Sequence, residues 1–314
     1  MPNTQIPIEK SAMSHGVDDS KYLPKPSWLK VRLPTHGNFF HVADLLNKNQ
    51  LHTICQSAKC PNISECWSAR TATFLILGDT CTRNCAFCAV KKGTPFPPLA
   101  DEPRRVAEAV VSLGIDYAVI TSVTRDDLLD GGASIFAHTV KAVKKRKPEA
   151  KVEVLIPDFN GDKEALETVI KAGPDVLNHN LETTESRYPL IHRPPENYQR
   201  SLNILKRAKE MGALTKSGIM VGLGENEPEI NRTLSDLRSV GCDLLTIGQY
   251  LQPAKSNVPV RKYYTPQEFE NFKVRAHDLG FKDVEAGPLV RSSYQAQRMF
   301  HSFEKGATIE SCAF

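Results

Sequence analysis

The amino-acid sequence predicts an α/β protein built as a partial (β/α)6 barrel with N- and C-terminal extensions. Three observations lead there. From about residue 72, apolar β-branched runs alternate with amphipathic helical stretches, the rhythm of a parallel sheet whose strands return through crossover helices. The repeating units occupy about 210 residues, whereas a full eight-unit barrel needs about 250. A cysteine-rich loop follows the first run, where open α/β sheets and barrels alike place their chemistry, at the C-terminal ends of strands. A doubly wound sheet is the rival architecture.

The elements follow in order. Residues 1–40 are polar and proline-rich, with Pro24, Pro26 and Pro34, and are expected to form a loosely structured arm. A short helical pattern, HVADLLNKNQL (41–51), leads into a first cysteine group. The strand candidates are ATFLIL (72–77), YAVITSV (117–123), KVEVLIP (151–157), DVLNHNLE (175–182), SGIMVGL (217–223) and LLTIGQYL (244–251). Between and after them lie helix candidates at 102–114, 134–148, 163–173, 197–212, 226–241 and 265–280; the first carries a proline in its first turn, and most stop at glycine. This divides the chain into an N-terminal extension (1–70), a barrel (71–285) and a C-terminal extension (286–314).

Composition narrows the function classes. The chain has 314 residues, 40% hydrophobic and 24% charged, enough for a large core and against wholesale disorder. Its net charge of +4 is too mild to argue for nucleic acid. No run of about 18 apolar residues is present, so no membrane span is expected. The opening MPNTQIPIEKSAMSHGVDDS lacks an apolar or Arg-rich leader pattern, and a cytoplasmic location is expected. Of eight cysteines, Cys55, Cys60, Cys66, Cys81, Cys85 and Cys88 are clustered, while Cys242 and Cys312 stand alone. In a reducing compartment and a chain this size, clustering points to metal or cluster ligation rather than disulfides. Cys242 fits a buried apolar cysteine and Cys312 a tail thiol.

The loop GDTCTRNCAFCAV (78–90) offers three cysteines, Cys81, Cys85 and Cys88, and no fourth close by. Thiolates favour zinc or iron–sulfur over hard cations. Structural zinc wants four protein ligands, and no histidine lies between His52 and His138. Three ligands on a four-iron cluster leave one iron open to a small molecule.

CxxxCxxC after the first strand of such a barrel, with Phe87 before the third cysteine, resembles the radical S-adenosylmethionine enzymes. The resemblance implies that the open iron chelates the methionyl amino and carboxylate groups and that electron transfer yields a 5′-deoxyadenosyl radical. A second group, CQSAKCPNISECW, places Cys55, Cys60 and Cys66 four and then five residues apart. The two groups together resemble the lipoyl synthase family, as do TSVTRDDLLDGGA, DVLNHNLET, SGIMVGLGE, TIGQYLQP and GPLVRSSY. Gln56-Ser57 and Ala86 depart from the family's usual acidic and basic residues without touching a proposed ligand.

The family resemblance carries further implications. Cys55, Cys60 and Cys66 would hold a second 4Fe–4S cluster serving as sulfur source, with Ser293 of RSSY as fourth ligand and Ser292 as its neighbour. Two sulfur atoms would be inserted at C6 and C8 of an octanoyl chain on a lysine. The partners implied are an octanoylated lipoyl carrier domain or glycine-cleavage H protein, and an external low-potential electron donor. No nucleic acid or membrane partner is implied.

Other residues are weighed against plainer roles. Thr121, Ser122, Thr124 and Asp126 would hold the methionyl end of S-adenosylmethionine; a turn and helix cap is the plain alternative. Asn180 and Glu182 fall where ribose and amino-group contacts are expected, while His179 beside them could be a core histidine. Gly222 and Glu225 of SGIMVGLGE would lie on the adenine side; the stretch lacks GxGxxG spacing. Arg187, Arg193 and Arg291 could hold carboxylates or form ion pairs. The run Lys141–Lys147 is either a helix C-terminus or a docking patch for an acidic partner. Rival functions are another radical sulfur-inserting enzyme, such as a methylthio-transferase, and a non-enzymatic metal or iron–sulfur redox sensor.

Overall fold

Along the chain, a short 3-10 turn (Ser27–Leu29) precedes α1 (Gly37–Lys48), β1 (His52–Thr53), α2 (Ile54–Ser57), α3 (Ile63–Ser68) and β2 (Thr73–Ile76). A small ribbon, β3 (Thr80–Cys81) with β4 (Lys91–Lys92), then leads to α4 (Glu102–Ser112). Strands and helices alternate from there: β5 (Tyr117–Ser122), α5 (Ala133–Arg146), β6 (Lys151–Leu155), α6 (Lys163–Lys171), β7 (Val176–Asn178), α7 (Glu196–Glu210), β8 (Thr215–Val221), α8 (Glu227–Ser239), β9 (Leu244–Gln249), α9 (Pro266–Asp278), β10 (Asp283–Gly287) and α10 (Ala296–Ser311). This computed structural model describes residues 23–31 and 37–311; the rest of the predicted arm and Cys312 lie outside the described residues.

The sheet runs β1-β2-β5-β6-β7-β8-β9-β10, parallel except for the antiparallel β1. All the predicted strands are present and lie in chain order around a barrel wall whose edges, β1 and β10, do not pair with each other. Strands such as TFLI and LLTIGQ are buried at every position because helices cover one face and the barrel interior the other. The helices start where the sequence places them. Asn226 with Glu229 and Thr265 with Glu268 form capping boxes on α8 and α9, each with a proline in the first turn.

Two features extend the sequence reading. The sixth helix is followed by one further parallel strand, β10, paired with β9 from Asp283↔Leu244 to Gly287↔Gly248, and it runs across position 285. DVEAG has no apolar run; Val284 packs into the helix-side core, while Glu285 pairs with Arg298 of α10. The fourth strand is shorter than DVLNHNLE, because Glu182 takes a left-handed φ of 72°. The chain rejoins β8 at that residue through Glu182 N–H to Gly218 O (3.1 Å) and Met220 N–H to Glu182 O (2.7 Å). Asn180 is thereby lifted out of the regular ladder.

The barrel interior is filled in two ways. Tyr117, Val119, Val176 and Leu244 pack against Ala296, Met299 and Phe300, so α10 plugs the N-terminal end of the barrel. Beside them lies a buried polar cluster: Glu153 accepts from Lys216 (3.0 and 3.1 Å), Tyr117 (2.8 Å) and Asn178 (3.0 Å). The basic end of α5 also points to this end of the barrel. Lys144 pairs with Asp175, Arg146 with Glu108 (3.8 Å) and Lys147 with Asp116 (2.5 Å), which favours the helix-end reading of that run.

Candidate active site

The first cysteine loop is built by an abrupt turn off β2. Leu77 (φ 69°) and Gly78 (φ 91°) are both left-handed, and Leu77 is held by Glu102, which accepts from its N–H at 2.8 Å, and by Arg125, which donates to its carbonyl at 3.2 Å. Gly132 makes room for this turn, since a Cβ there would sit 2.3 Å from Leu77 Cδ1. The loop is then tied down on three sides. Thr82 donates from its N–H (3.1 Å) and hydroxyl (3.0 Å) to Thr124 O. Ala86 N–H donates to Ile191 O (3.0 Å), and Asn257 Nδ2 donates to the carbonyls of Ala86 (2.9 Å) and Cys88 (3.2 Å). Pairing of β3 with β4 closes its neck.

Arg83, inside the CxxxCxxC motif, is the main side-chain anchor. Its guanidinium reaches Asp126 (2.7 and 2.8 Å), Asp158 (2.6 Å) and Asn160 (2.9 Å), pinning the loop to the ends of β5 and β6. Sequence reasoning missed this role and that of Asp158. A charge inside the motif was the visible signal, but its partners lie 43 and 75 residues away. Burial raises the pKa of Asp158, yet the Arg83 guanidinium more than reverses that and holds it at about 2.

A small cavity opens beside this loop at the strand C-termini, lined by Thr121, Ser122, Thr124, Asn180, Glu182 and Arg193 among others. Five of the expected cofactor contacts are thus brought together. Ser122 Oγ is buried there with no hydrogen-bond partner, as a residue reserved for a bound polar group would be. Arg193 lies over the Phe87 ring (5.7 Å) and 3.4 Å from Glu182. Burial raises the Glu182 pKa and Arg193 opposes it. His179 has the plainer role: its Nδ1 is 2.9 Å from Ile156 O and its Nε2 3.0 Å from Ser201 Oγ, and burial lowers its pKa to about 4.

Three expected contacts are placed elsewhere. Asp126 is engaged by Arg83. Glu225 accepts from the N–H groups of Gly222 (2.5 Å) and Leu223 (2.8 Å), closing the turn after β8. Gly222 is pressed against Gln249, whose Nε2 would stand 2.1 Å from an added Cβ. Arg187 pairs with Glu229 at 3.5 Å, and Cys242 is buried in the helix-side core.

The second cysteine group lies at the other end of β2. Thr53 caps α2, which carries Cys55; Cys60 N–H donates to Cys55 O (2.9 Å), and α3 carries Cys66. The C-terminal segment is brought against it by two contacts. Asn62 Nδ2 donates to Leu289 O (2.6 Å), and Tyr294 OH donates to Glu65 Oε1 (3.0 Å). The two serines of RSSY diverge. Ser292 donates to Asn180 Oδ1 (2.9 Å), whereas Ser293 shares a cavity of about 700 Å³ with Cys66.

Both groups suit a cluster as donor sets. Burial first, then the neighbouring thiols of the same group, pushes Cys66 up to about 12 and Cys88 to about 11, while Cys55 and Cys60 are raised by burial first. Three such thiols become thiolates together only with a cationic partner. Among the described residues no three Cys, His, Asp or Glu side chains converge as they would around a single ion.

Comparison with known proteins agrees. A sequence profile of the Radical SAM superfamily matches residues 75–237. Lipoyl synthase of Rubrobacter xylanophilus is 50% identical over 308 residues, covering 98% of this chain and 93% of that one. Lipoyl synthase of Caldicellulosiruptor saccharolyticus is 54% identical over 275 residues, covering 87% and 96%. Among solved structures, Streptococcus suis SuiB bound to S-adenosylmethionine has a similar fold, with a TM-score of 0.51 at 13% identity over 69% of this chain and 50% of that one. A cysteine loop past the first barrel strand, a polar cavity beside it and half-identity over almost the whole length lead to one conclusion: the chain belongs to the lipoyl synthase family of radical S-adenosylmethionine enzymes, with a 4Fe–4S cluster and S-adenosylmethionine as cofactors.

Proposed function

We propose that this enzyme inserts two sulfur atoms at C6 and C8 of an octanoyl chain carried on a lysine, giving the lipoyl group. Cys81, Cys85 and Cys88 hold the cluster that serves S-adenosylmethionine. Cys55, Cys60, Cys66 and Ser293 hold a second, sacrificial 4Fe–4S cluster. The observation that carries this reading is the placement of the two cysteine groups at opposite ends of β2, with Ser293 brought from the far C-terminus to the cavity of Cys66. A four-residue strand at about 3.3 Å per residue keeps them roughly 10 Å or more apart, room for an alkyl chain between them.

C6 and C8 carry no acidic hydrogen, so acid–base or nucleophilic groups have nothing to act on. When bound, the cofactors supply a hydrogen-abstracting carbon radical at one end and sulfur at the other. The chain supplies position. Ser122, Thr121 and Thr124 bind the methionyl end, Asn180 and Glu182 the neighbouring polar groups, and Arg193 orients Glu182. Gly222 and Glu225 shape the turn on the adenine side, and Asp126 acts through Arg83. The α10 plug and the buried wall exclude water from the interior. In this division of labour, residues 1–70 carry the second cluster's cysteines, 71–285 the radical barrel and 286–314 the serine ligand. The substrate is an octanoylated lipoyl carrier domain or glycine-cleavage H protein, the electron comes from an external low-potential donor, and the enzyme works in the cytoplasm.

The test separates the two cysteine groups. Cys85→Ala should end 5′-deoxyadenosine formation with reductant. Cys60→Ala should keep some of it and lose thiolated octanoyl-lysine peptide, read by mass spectrometry. With the cluster sulfide isotopically labelled, single-turnover product should carry the label. Unlabelled product, or a Cys60→Ala enzyme that still makes it, contradicts the sulfur-donor role.

A further inference from the structure

The segment that brings Ser293 to the second cysteine group also reaches the cofactor cavity. Its two ends are tied beside the cysteines, Leu289 through Asn62 (2.6 Å) and Tyr294 through Glu65 (3.0 Å). Between these ties it presses on the barrel wall at two glycines of the paired strands β8 and β9. A Cβ on Gly248 would sit 2.2 Å from Val290 O. One on Gly218 would sit 2.9 Å from Asn180 Oδ1 and 3.1 Å from Ser292 Oγ, the two atoms that meet in a hydrogen bond of 2.9 Å. Neither glycine has a left-handed φ, so what each provides is space. Asn180 faces two ways: its Oδ1 accepts from Ser292, and the residue lines the cavity with Ser122 and Glu182. Ser293, one peptide bond further on, lines the cavity of Cys66. One hydrogen bond between residues 112 positions apart therefore joins the two sites.

We infer that Ser292 is a positioning residue whose bond to Asn180 sets Ser293 towards Cys66 and Asn180 towards the cofactor, so that cofactor seating and serine ligation support each other. The inference rests on the assignment of S-adenosylmethionine to the polar cavity and of a second cluster to Cys55, Cys60, Cys66 and Ser293. A bond that holds both side chains in place spares each bound group the cost of ordering one of them, and the support is equal in both directions. The competing role is purely mechanical, a tie that stabilises the segment and touches neither site.

The experiment has two arms. The first reads the second cysteine group in full-length protein carrying Cys81→Ala, Cys85→Ala and Cys88→Ala, reconstituted with iron and sulfide. A protein that binds none removes the second-cluster assignment itself and the inference with it. In that background Ser292→Ala should speed iron loss to a chelator about two- to tenfold, the span of one ordinary hydrogen bond. Asn180→Ala should do the same although it belongs to the cofactor cavity, and the two together should act no more strongly than the larger alone. The second arm reads the cofactor cavity with all six clustered cysteines present and both groups reconstituted. There Ser292→Ala should weaken S-adenosylmethionine about two- to tenfold in equilibrium dialysis, although Ser292 does not line that cavity. A parent protein that does not bind S-adenosylmethionine removes the cavity assignment instead. Thermal unfolding of the apo-proteins checks that each variant folds. Gly218→Ala, whose methyl group would part Asn180 from Ser292, carries the same test by a second route. Iron-loss effects that are absent or that multiply, or an unchanged S-adenosylmethionine Kd in a folded variant, overturn the inference.

Discussion

Replacing Arg83 by Gln should loosen the cysteine loop and lower stability together. The magnitude follows from what Arg83 holds. Asp158 has a side chain only 5% exposed, and its pKa is lowered from 3.8 to about 2 against the opposing effect of burial. That difference is worth about 2 kcal/mol by linkage. The Asp126 arm is 32% exposed and, discounted for solvent, adds less than about 1 kcal/mol. Arg200, at 3.4 Å, remains as a weaker partner for Asp158. The expected loss is therefore roughly 3 kcal/mol, because a buried carboxylate is left nearly alone. Urea titration of Arg83→Gln, Asp158→Asn and the double variant measures it. The double variant should recover most of the loss, since the orphaned charge is gone. 5′-Deoxyadenosine formation should fall at least about tenfold in Arg83→Gln, as small displacements of a reacting group are costly. An Arg83→Gln protein with an unchanged urea midpoint and normal cleavage of S-adenosylmethionine would refute the reasoning.

Other expectations follow from single sites. Lys216→Met strands Glu153, fully buried, and should cost about 3–5 kcal/mol; adding Glu153→Gln should restore much of it, and equal urea midpoints for all three proteins would exclude the buried pair as a stabiliser. His179 is neutral in the fold with a pKa of about 4 against an ordinary 6.5. Its contribution is full above pH 6.5 and declines as pH falls towards 4, by about 2 kcal/mol at pH 5. His179→Gln should flatten that slope in urea titrations at pH 7.5 and 5, and parallel slopes would contradict it. Ser122→Ala should leave apo-protein stability unchanged, because the hydroxyl has no partner, yet weaken S-adenosylmethionine about 10-fold or more in equilibrium dialysis; an unchanged Kd would remove Ser122 from the cofactor site.

The βα rhythm and both cysteine groups were legible in the sequence because each is a local signal. Apolar runs such as YAVITSV mark buried strands wherever they fold, glycine and proline mark the ends of α4 and α7, and CxxxCxxC is complete within one loop. Pairing energies and approach between distant residues are not local. β10 is a strand because β9 offers it a free edge, and DVEAG alone lacks the pattern. Glu182 leaves the fourth strand because the fold holds it at a φ that its own preference opposes. Whether Asp126 meets a cofactor or Arg83, and whether Ser292 or Ser293 turns towards Cys66, depends on side chains far apart in the chain. Asn180, which engages Ser292, lies 112 residues from it. The sequence by itself determined where the cysteines cluster and the strand order that puts one cysteine group past β2. The tertiary structure decided which charges are compensated, because compensation is set by distance in space and by exclusion of water, and neither is written in the order of residues.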